Sequence, residues 1–531
     1  MSSFRSIPSR AARGALAGVL AAFTALSAAD LVAGLVRPAA GPLTVVGGAV
    51  VDRTPAAVKD FAIRTFGEND KTVLRFGILA VLAVLAVGLG VLALSHRRAA
   101  AAGVLLLGTA GAAAALDRPD STGIGDALPS IVGALAGAVA LYLLASKAVP
   151  APVPVPAPAG AQGRGDTGGW SRRGFLATAG LTAVAAASAG ALGRLFTGRQ
   201  GRGAVASRDG LVLPAPASPA PPVPAGVQLK AAGVSPFTTP NSDFYRVDTA
   251  LTVPRVDAGT WRLRIHGKGV TRPRTYTLDQ LLARPLIERD ITLTCVSNEV
   301  GGPYTGTARW LGVPLGELLT EAGVRPPSQG GKADQLVARS VDGMTLGSPV
   351  EDVTDGRDAM LAVGMNGEPL PFDHGFPVRM LVPGLYGYVS ACKWITDIEL
   401  TTFDAYDPYW VKRKWARKAP VKTQARIDTP KPFARPAAGT VTIAGVAWAQ
   451  HRGITRVEVR VDDGPWQDAD LAAQASADTW RQWSLPWKAT PGGHTVTVRA
   501  TDGTGQTQTE QRARTIPDGA SGWHSVFVTV P

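Results

Sequence analysis

Four apolar runs near the N-terminus, Gly14–Val36, Phe76–Ser95, Ala99–Leu116 and Ala127–Ala145, constrain this chain more than any other feature. At 1.5 Å per residue each is about long enough to cross a hydrocarbon core of about 30 Å, the Ala/Gly-rich third run being the shortest. A soluble bundle of alanine-rich helices would carry charged faces, but Asp30 is the only charged residue inside the runs. Arg5, Arg10 and Arg13 precede the first run, and His96-Arg97-Arg98 joins the second to the third. The Asp117–Asp126 connection is acidic on balance. Basic segments stay cytoplasmic, so the N-terminus and the 96–98 turn lie inside and four crossings return the chain to the cytoplasm near Lys147. Residues 1–147 therefore read as a four-helix transmembrane region. A transmembrane b-type haem needs two axial ligands, and only His96 of the six histidines lies near a span. No haem is expected. Asp30 has no carboxylate companion to mark an ion path, which leaves an anchor or a small docking module.

Residues 148–170 form a Pro/Gly linker that cannot build a core. Residues 171–196 open on "SRRGFLATAG", which resembles a twin-arginine export signal and equally fits a fifth membrane helix with a positive-inside flank. Either way the following sequence is delivered to the extracytoplasmic side of a cell membrane. Residues 197–225 read as a Pro-rich tether.

From residue 226 the pattern becomes that of a globular protein. "TWRLRIHGKG" alternates like a strand, "TYTLDQLL" starts as a helix, and "ITLTCV" is a buried strand that delivers Cys295 at its end. Beyond residue 436, "GTVTIAGVAWA", "ITRVEVRVDDG", "HTVTVRATDG" and "SVFVTV", punctuated by Asp-Gly turns, are the signature of a β-sandwich. The net charge of +13 is scattered, with no arginine-rich arm, so it fits an anionic lipid surface and excludes a nucleic-acid binder. Two cysteines are too few for a disulfide scaffold.

The segments "TPNSDFYRVDTALTVP", "WRLRIHGKGV", "LTCVSNEVGG", "GTARWLGVPL", "MNGEPLPFDHGFPVRMLVPGLYGYVSACKW", "GVAWAQHRGITRVEVRVDDGPW" and "GWHSVFVTV" follow one another in the order of a known family. Over residues 236–531 the chain resembles the sulfite oxidase family of molybdopterin-dependent oxidoreductases with its immunoglobulin-like dimerisation domain. The resemblance implies an α+β molybdopterin domain over residues 226–425 and an all-β immunoglobulin-like sandwich over 426–531, behind the α-helical membrane bundle.

It also implies a molybdenum cofactor with Cys295 as its protein ligand, since a thiolate suits a soft or high-valent metal. Asn241, Tyr245, Arg246, His374, Arg379, Ser390 and Lys393 stand where family residues meet the cofactor, and Arg246 equally fits a substrate contact. Gly301, Gly302, Gly384 and Gly387 are expected to give the backbone room beside the cofactor, and Tyr386 to line the pocket. Asn298 and Arg309 fit structural or site roles alike. Cys392 reads as a small buried residue, or as a disulfide partner of Cys295.

Two departures bear on substrate. Glu299 stands near where sulfite oxidases place an arginine, and Met344 and Thr345 stand where they carry a tyrosine. A sulfite dianion would be poorly held, so the expected activity is oxygen-atom transfer, in either direction, on another small molecule, with Cys295, Arg246 and Glu299 at the reacting centre. No CxxC, CxxCH or paired-histidine motif encodes a second redox centre, so electrons would pass to a separate partner, a cytochrome or a quinone-linked subunit. A homodimer through the C-terminal domain is also implied. The alternative is a non-catalytic surface module built on the sandwich, which leaves the Cys295 segment without a purpose.

Overall fold

The computed structural model describes residues 7–55, 70–118, 123–148 and 172–531, with 58, 61, 65, 66 and 121. The 148–170 linker beyond Ala148, and Ser171, lie outside the described residues. The chain divides into two compact units, one up to Gly203 together with 250–252, the other formed by 204–249 and 253–531.

The first unit is helical: α1 (Ile7–Val36), α2 (Pro42–Arg53), α3 (Asp70–Ala93), α4 (Arg97–Leu116), α5 (Leu128–Ala148) and most of α6 (Arg172–Asp209). All except the short α2 are long and apolar enough to cross a membrane. Small residues set their packing. A Cβ on Gly18 would lie 1.9 Å from Ala86 O, and one on Gly90 2.1 Å from Gly14 O, so α1 and α3 approach along glycines. The same "GALAG" string recurs in α5, where a Cβ on Gly133 would lie 2.5 Å from Ala25 O and one on Gly137 2.7 Å from Ala25 Cβ. The loop ends are tied by charge: Arg37 holds the buried Asp126 through both carboxylate oxygens at 3.1 and 2.6 Å.

α6 corrects the expected start of the tether. The helix runs on to Asp209 because the first proline after it is Pro214. The proline-rich stretch that follows is not a free tether either. Ser218 pairs with the edge of a strand, accepting from Glu288 N–H at 2.9 Å and donating its own N–H to Leu286 O at 3.1 Å. The flanking prolines need no donor partner there.

The second unit contains two domains. In the first, β1 (Arg262–Gly267) and β2 (Arg274–Thr277) join β5 (Gln335–Ser340), β6 (Thr345–Pro349) and β10 (Ile395–Thr401) in a mixed sheet of order β2-β1-β10-β5-β6, with β1 and β10 parallel. A second sheet runs β3 (Ile287–Thr294), β4 (Thr305–Pro314), β7 (Met360–Met365), β8 (Glu368–Pro369), with β9 (Arg379–Leu381) also on β7. Short helices fill the connections: α7 (Leu278–Leu282), α8 (Leu315–Glu321), α9 (Val350–Thr354) and α10 (Gly387–Ser390). α7 opens on a capping box between Thr277 and Gln280. Trp310, Phe376, Leu263 and Ile291 are fully buried in the shared core.

The second domain packs two antiparallel sheets. One joins β11 (Gln424–Thr429), β12 (Gly439–Trp448), β16 (Arg481–Ala489) and β15 (Asp470–Leu471). The other joins β14 (Gln467–Asp468), β13 (Ile454–Val461), β17 (Gly492–Asp502) and β18 (His524–Val530). Alternating inward residues such as Ile443, Val457, Val459, Val496 and Val498 form its core. Gln450, at the end of β12, donates to Thr292 O (3.0 Å) and Thr294 Oγ1 (2.8 Å), so the sandwich buttresses the strand that leads to Cys295.

Candidate active site

β3 is a wholly buried strand over its last four residues, and Cys295 follows it in the turn toward β4. Cys295 N–H donates to Tyr304 O (3.0 Å), Asn298 N–H to Cys295 O (3.0 Å), and Tyr304 N–H to Asn298 Oδ1 (2.8 Å). Asn298 thus shapes the turn. Cys295 is buried and free, and so is Cys392, so the two form no disulfide. Burial pushes the Cys295 thiol up, while Ser297, through its backbone and its side chain, and the charge of Lys393 pull the other way.

The expected cofactor residues gather around this turn. Tyr245, stacked on Phe244 at 5.2 Å, feels the charges of Cys295 and Arg379, and burial above all keeps its phenol protonated. His374 is buried and its pKa is lowered to about 4, first by burial and then by Arg379, so the ring is neutral at pH 7. Its Nε2 lies 3.1 Å from Asn241 O; a neutral ring donating there leaves Nδ1 as an acceptor. Asn241 donates to Glu368 Oε1 (2.6 Å) and Met365 O (3.3 Å), and accepts from Asn366 Nδ2 (2.8 Å). Lys393 Nζ donates to Asp248 Oδ2 (2.8 Å) and Asp373 O (3.2 Å), and Arg246 reaches the same Asp248 oxygen at 3.1 Å.

Arg379 differs from these cations. It is 5% exposed and stacks over Trp310 at 5.0 Å. Its one hydrogen-bonding contact is a 3.2 Å donation to His374 O; Nε has no partner, and no carboxylate pairs with it among the described residues. Burial lowers its pKa to about 10, which still leaves it charged at pH 7.

Other expected residues stand differently. Ser390 is buried, but its hydroxyl lies 3.0 Å from Leu385 O and 3.1 Å from Tyr386 O, so it caps its own helical turn instead of reaching into a pocket. Arg309 is held by both oxygens of Asp290 at 2.9 and 2.8 Å, a brace across β3 and β4. Glu299 is exposed and has no ion pair among the described residues.

Three glycines serve the protein's own packing where room for a cofactor was expected. A Cβ on Gly301 would lie 2.2 Å from the His524 ring, one on Gly302 2.7 Å from Asn298 Oδ1, and one on Gly384 3.1 Å from His451 Cβ. The sandwich closes on Gly301 and Gly384, and the Asn298 turn closes on Gly302. Gly387 is less crowded: a Cβ there would make ordinary contacts with Thr294 O at 3.7 Å, Ala391 Cβ at 3.9 Å and Tyr245 Oη at 4.0 Å. Tyr386 is buried, with Lys422 N–H donating to its hydroxyl at 3.4 Å.

Asp248, the carboxylate shared by two site cations, was not anticipated; "DFYRVD" carried it only as an acid three residues past Tyr245. Asn366 was missed too, although the "MNG" turn marks it: it holds the left-handed conformation that Asn tolerates (φ 52°) and ties Asn241 to Thr239 O.

The chemistry of this donor set fits a molybdopterin. A buried guanidinium without a carboxylate calls for an anionic or carbonyl-rich guest. A buried free thiol becomes a thiolate most readily against a metal cation.

Comparison with known proteins agrees. A model described as an oxidoreductase molybdopterin binding domain matches residues 250–410, and one described as a bacterial Ig domain matches residues 424–498. Mitochondrial sulfite oxidase of Mus musculus is 32% identical over 290 residues, covering 47% of this chain and 53% of that one. Sulfite oxidase of Gallus gallus is 31% identical over 294 residues, 47% of this chain and 63% of that one. Nitrate reductase (NADH) 1 of Oryza sativa subsp. japonica is 33% identical over 199 residues, 33% of this chain and 21% of that one. The matched segment thus spans less than two thirds of these relatives. Among solved structures, the sulfane dehydrogenase SoxCD from Paracoccus pantotrophus is 25% identical with a TM-score of 0.49, covering 56% of this chain and 82% of that one. Over about half of its length the chain is similar to sulfite oxidases, and it carries a molybdopterin-binding oxidoreductase domain followed by an Ig-like domain.

Proposed function

We propose that the protein is a membrane-anchored oxidoreductase whose catalytic domain lies outside the cytoplasm and transfers oxygen atoms to or from a small, uncharged substrate. The observation that carries this reading is that Tyr245 feels both the buried, free Cys295 thiol and a buried Arg379 with no carboxylate partner among the described residues. When bound, the molybdenum cofactor supplies the redox and oxo-transfer chemistry. Cys295 supplies the protein thiolate. Arg379, through its unpaired Nε–H, and His374, through Nδ1 with Nε2 pinned by Asn241 O, would help to hold the cofactor. Lys393 adds positive charge and is positioned by Asp248. Tyr245, held protonated by burial, would keep a hydroxyl proton available at the site.

Substrate charge follows from what neutralises the cations. Arg246 is shared between Asp248 and, at 3.4 Å, Asp373, and Arg309 belongs to Asp290, so neither is left to attract a dianion. Glu299, exposed just beyond the ligand turn, adds negative charge. A sulfoxide or N-oxide fits this field better than sulfite. The basic His96–Arg98 turn and Arg172-Arg173 support the membrane sidedness. Electrons are exchanged with a separate carrier.

Steady-state kinetics of the cofactor-loaded protein with a soluble dye test the reading. Turnover of a neutral oxide well above that of sulfite, and a lower Michaelis constant for sulfite in Glu299→Arg, are expected. Sulfite turnover typical of a dedicated enzyme in the wild type would overturn the substrate assignment.

A further inference from the structure

The densest run of basic residues in the chain follows β10 of the oxidoreductase domain: five of the seven residues 412–418 are cations and none is an acid. Lys412, Lys414 and Lys418 are exposed and have no ion pair among the described residues. Arg417 is held by Asp407 at 2.9 Å and Asp404 at 3.7 Å. Rings fix three of the cations: Arg413 lies over Tyr409 at 3.5 Å, Lys412 over Tyr406 at 5.3 Å and Lys418 over Phe403 at 6.0 Å. A ring face positions a cation without cancelling its charge. The segment also sits on the wall of the candidate active site. Leu385 and Pro420 form an antiparallel bridge, Tyr386 N–H donates to Ala419 O (2.9 Å), and Tyr388 Oη donates to Ala416 O (2.7 Å). Tyr386 feels the charge of Cys295. From Tyr388 a row of rings leads to the basic run: Trp415 at 5.6 Å, Trp410 6.1 Å beyond it, and Tyr409, which carries Arg413, 5.0 Å beyond that.

We propose that the Lys412–Lys418 segment docks an acidic one-electron carrier protein beside the cofactor pocket. The inference rests on the oxidoreductase reading, under which electrons pass to or from a separate carrier. Reduction of one oxide takes up two electrons and two protons and releases water, so two reduced carriers are oxidised in succession at this face. Exposed opposite charges steer the encounter and add little lasting affinity, which suits a carrier that must leave after each electron. The row of rings ties the docking face to the wall of the pocket. Anionic lipid is the other partner that positive charge attracts. A surface that binds lipid also inserts apolar side chains, and residues 403–420 expose no large one: Trp410 and Trp415 pack on the domain core.

The test uses the full cofactor-loaded chain in phosphatidylcholine nanodiscs, an acidic c-type cytochrome and, as control, a basic cytochrome of the same fold. Saturable binding of the acidic cytochrome, one per chain, is expected at low ionic strength and about tenfold weaker by about 0.2 M salt. The basic cytochrome should not bind. Combining Lys412→Glu, Lys414→Glu and Lys418→Glu should weaken binding at least about tenfold at low salt. The combined Lys→Gln variant, which keeps side-chain length, should lose a smaller share, about threefold. The three side chains are exposed, so thermal unfolding and dye-linked turnover should match wild type in both variants. Equal affinity in wild type and both variants, no saturable binding in wild type, or no preference for the acidic cytochrome would each overturn the surface. It is also overturned if the variants keep the cytochrome but lose flotation with phosphatidylglycerol vesicles or self-association, which assigns the patch to lipid or to a second copy. Dye-linked turnover is scored separately: turnover without cytochrome binding overturns this surface alone, and binding without turnover overturns the enzyme reading alone.

Discussion

The oxidoreductase domain and the sandwich both bury arginines, and they treat them in opposite ways. In the sandwich, Arg426 Nε donates to Asp428 at 2.7 Å, with its other nitrogens on Gly302 O and Ser235 Oγ, both 2.9 Å. Arg452 Nε donates to the fully buried Asp502 at 2.9 Å. Burial alone would raise the Asp502 pKa, but hydrogen bonds from Thr504, Arg452 and Thr423 outweigh it and hold the carboxyl well below the usual range. Arg379, in the oxidoreductase domain, has a ring face, one carbonyl and no carboxylate. A buried charge with its counter-ion is a brace; a buried charge without one is half of a pair whose other member comes from outside.

Removing Arg379 should therefore have the largest effect on loading and little on the fold. Arg379→Met is expected to lower bound molybdopterin at least tenfold while the apo protein melts at or above the wild-type temperature. Pterin fluorescence and calorimetry measure the two. Full cofactor retention would erase the distinction between the domains.

Arg452→Met should do the reverse. It leaves Asp502 buried beside Thr423 without its cation, at a cost of about 3–5 kcal/mol, scaled down by the partial exposure of Arg452 itself. Denaturant unfolding of the sandwich transition reads this, and the molybdenum content of protein that folds should stay at the wild-type level.

How far the sequence alone reaches can be judged from these residues. The long apolar helices, the sandwich strands and the burial of Cys295 at the end of a strand were legible because hydrophobic periodicity and local framing are properties of short stretches. α2, and the continuation of α6 to Asp209, were not, since no long apolar run marks them. Asp248, the packing of Ser218 on β3, and the seating of His524 against Gly301 depend on partners distant in the chain. The glycines of "NEVGG" looked like cofactor room because a glycine records that something comes close, not what it is. Arg379 was named from a resemblance; only the absence of its carboxylate in three dimensions sets it apart from Arg309.

A smaller effect concerns pH. Burial, and then Arg426 and Arg512, lower the His524 pKa to about 4, and the ring accepts the Ile427 N–H at 3.0 Å. The unfolded chain binds a proton near pH 6.5 and the folded one only near 4. Stability is therefore full above about pH 6.5 and is lost as pH falls through that window. His524→Gln should flatten the slope of sandwich stability between pH 6.5 and 4 by up to one proton, measured by urea titrations across that range. An unchanged slope would mean that His524 is not the group responsible.

The central claim is that the lone thiol at the end of β3 is the protein's ligand to molybdenum, and X-ray absorption at the molybdenum edge measures it directly. In cofactor-loaded wild type and Cys392→Ser the sulfur coordination should be the same. In Cys295→Ser it should fall by one sulfur, with pterin retained and turnover lost. An unchanged sulfur count in Cys295→Ser, or turnover at the wild-type rate, would contradict the account.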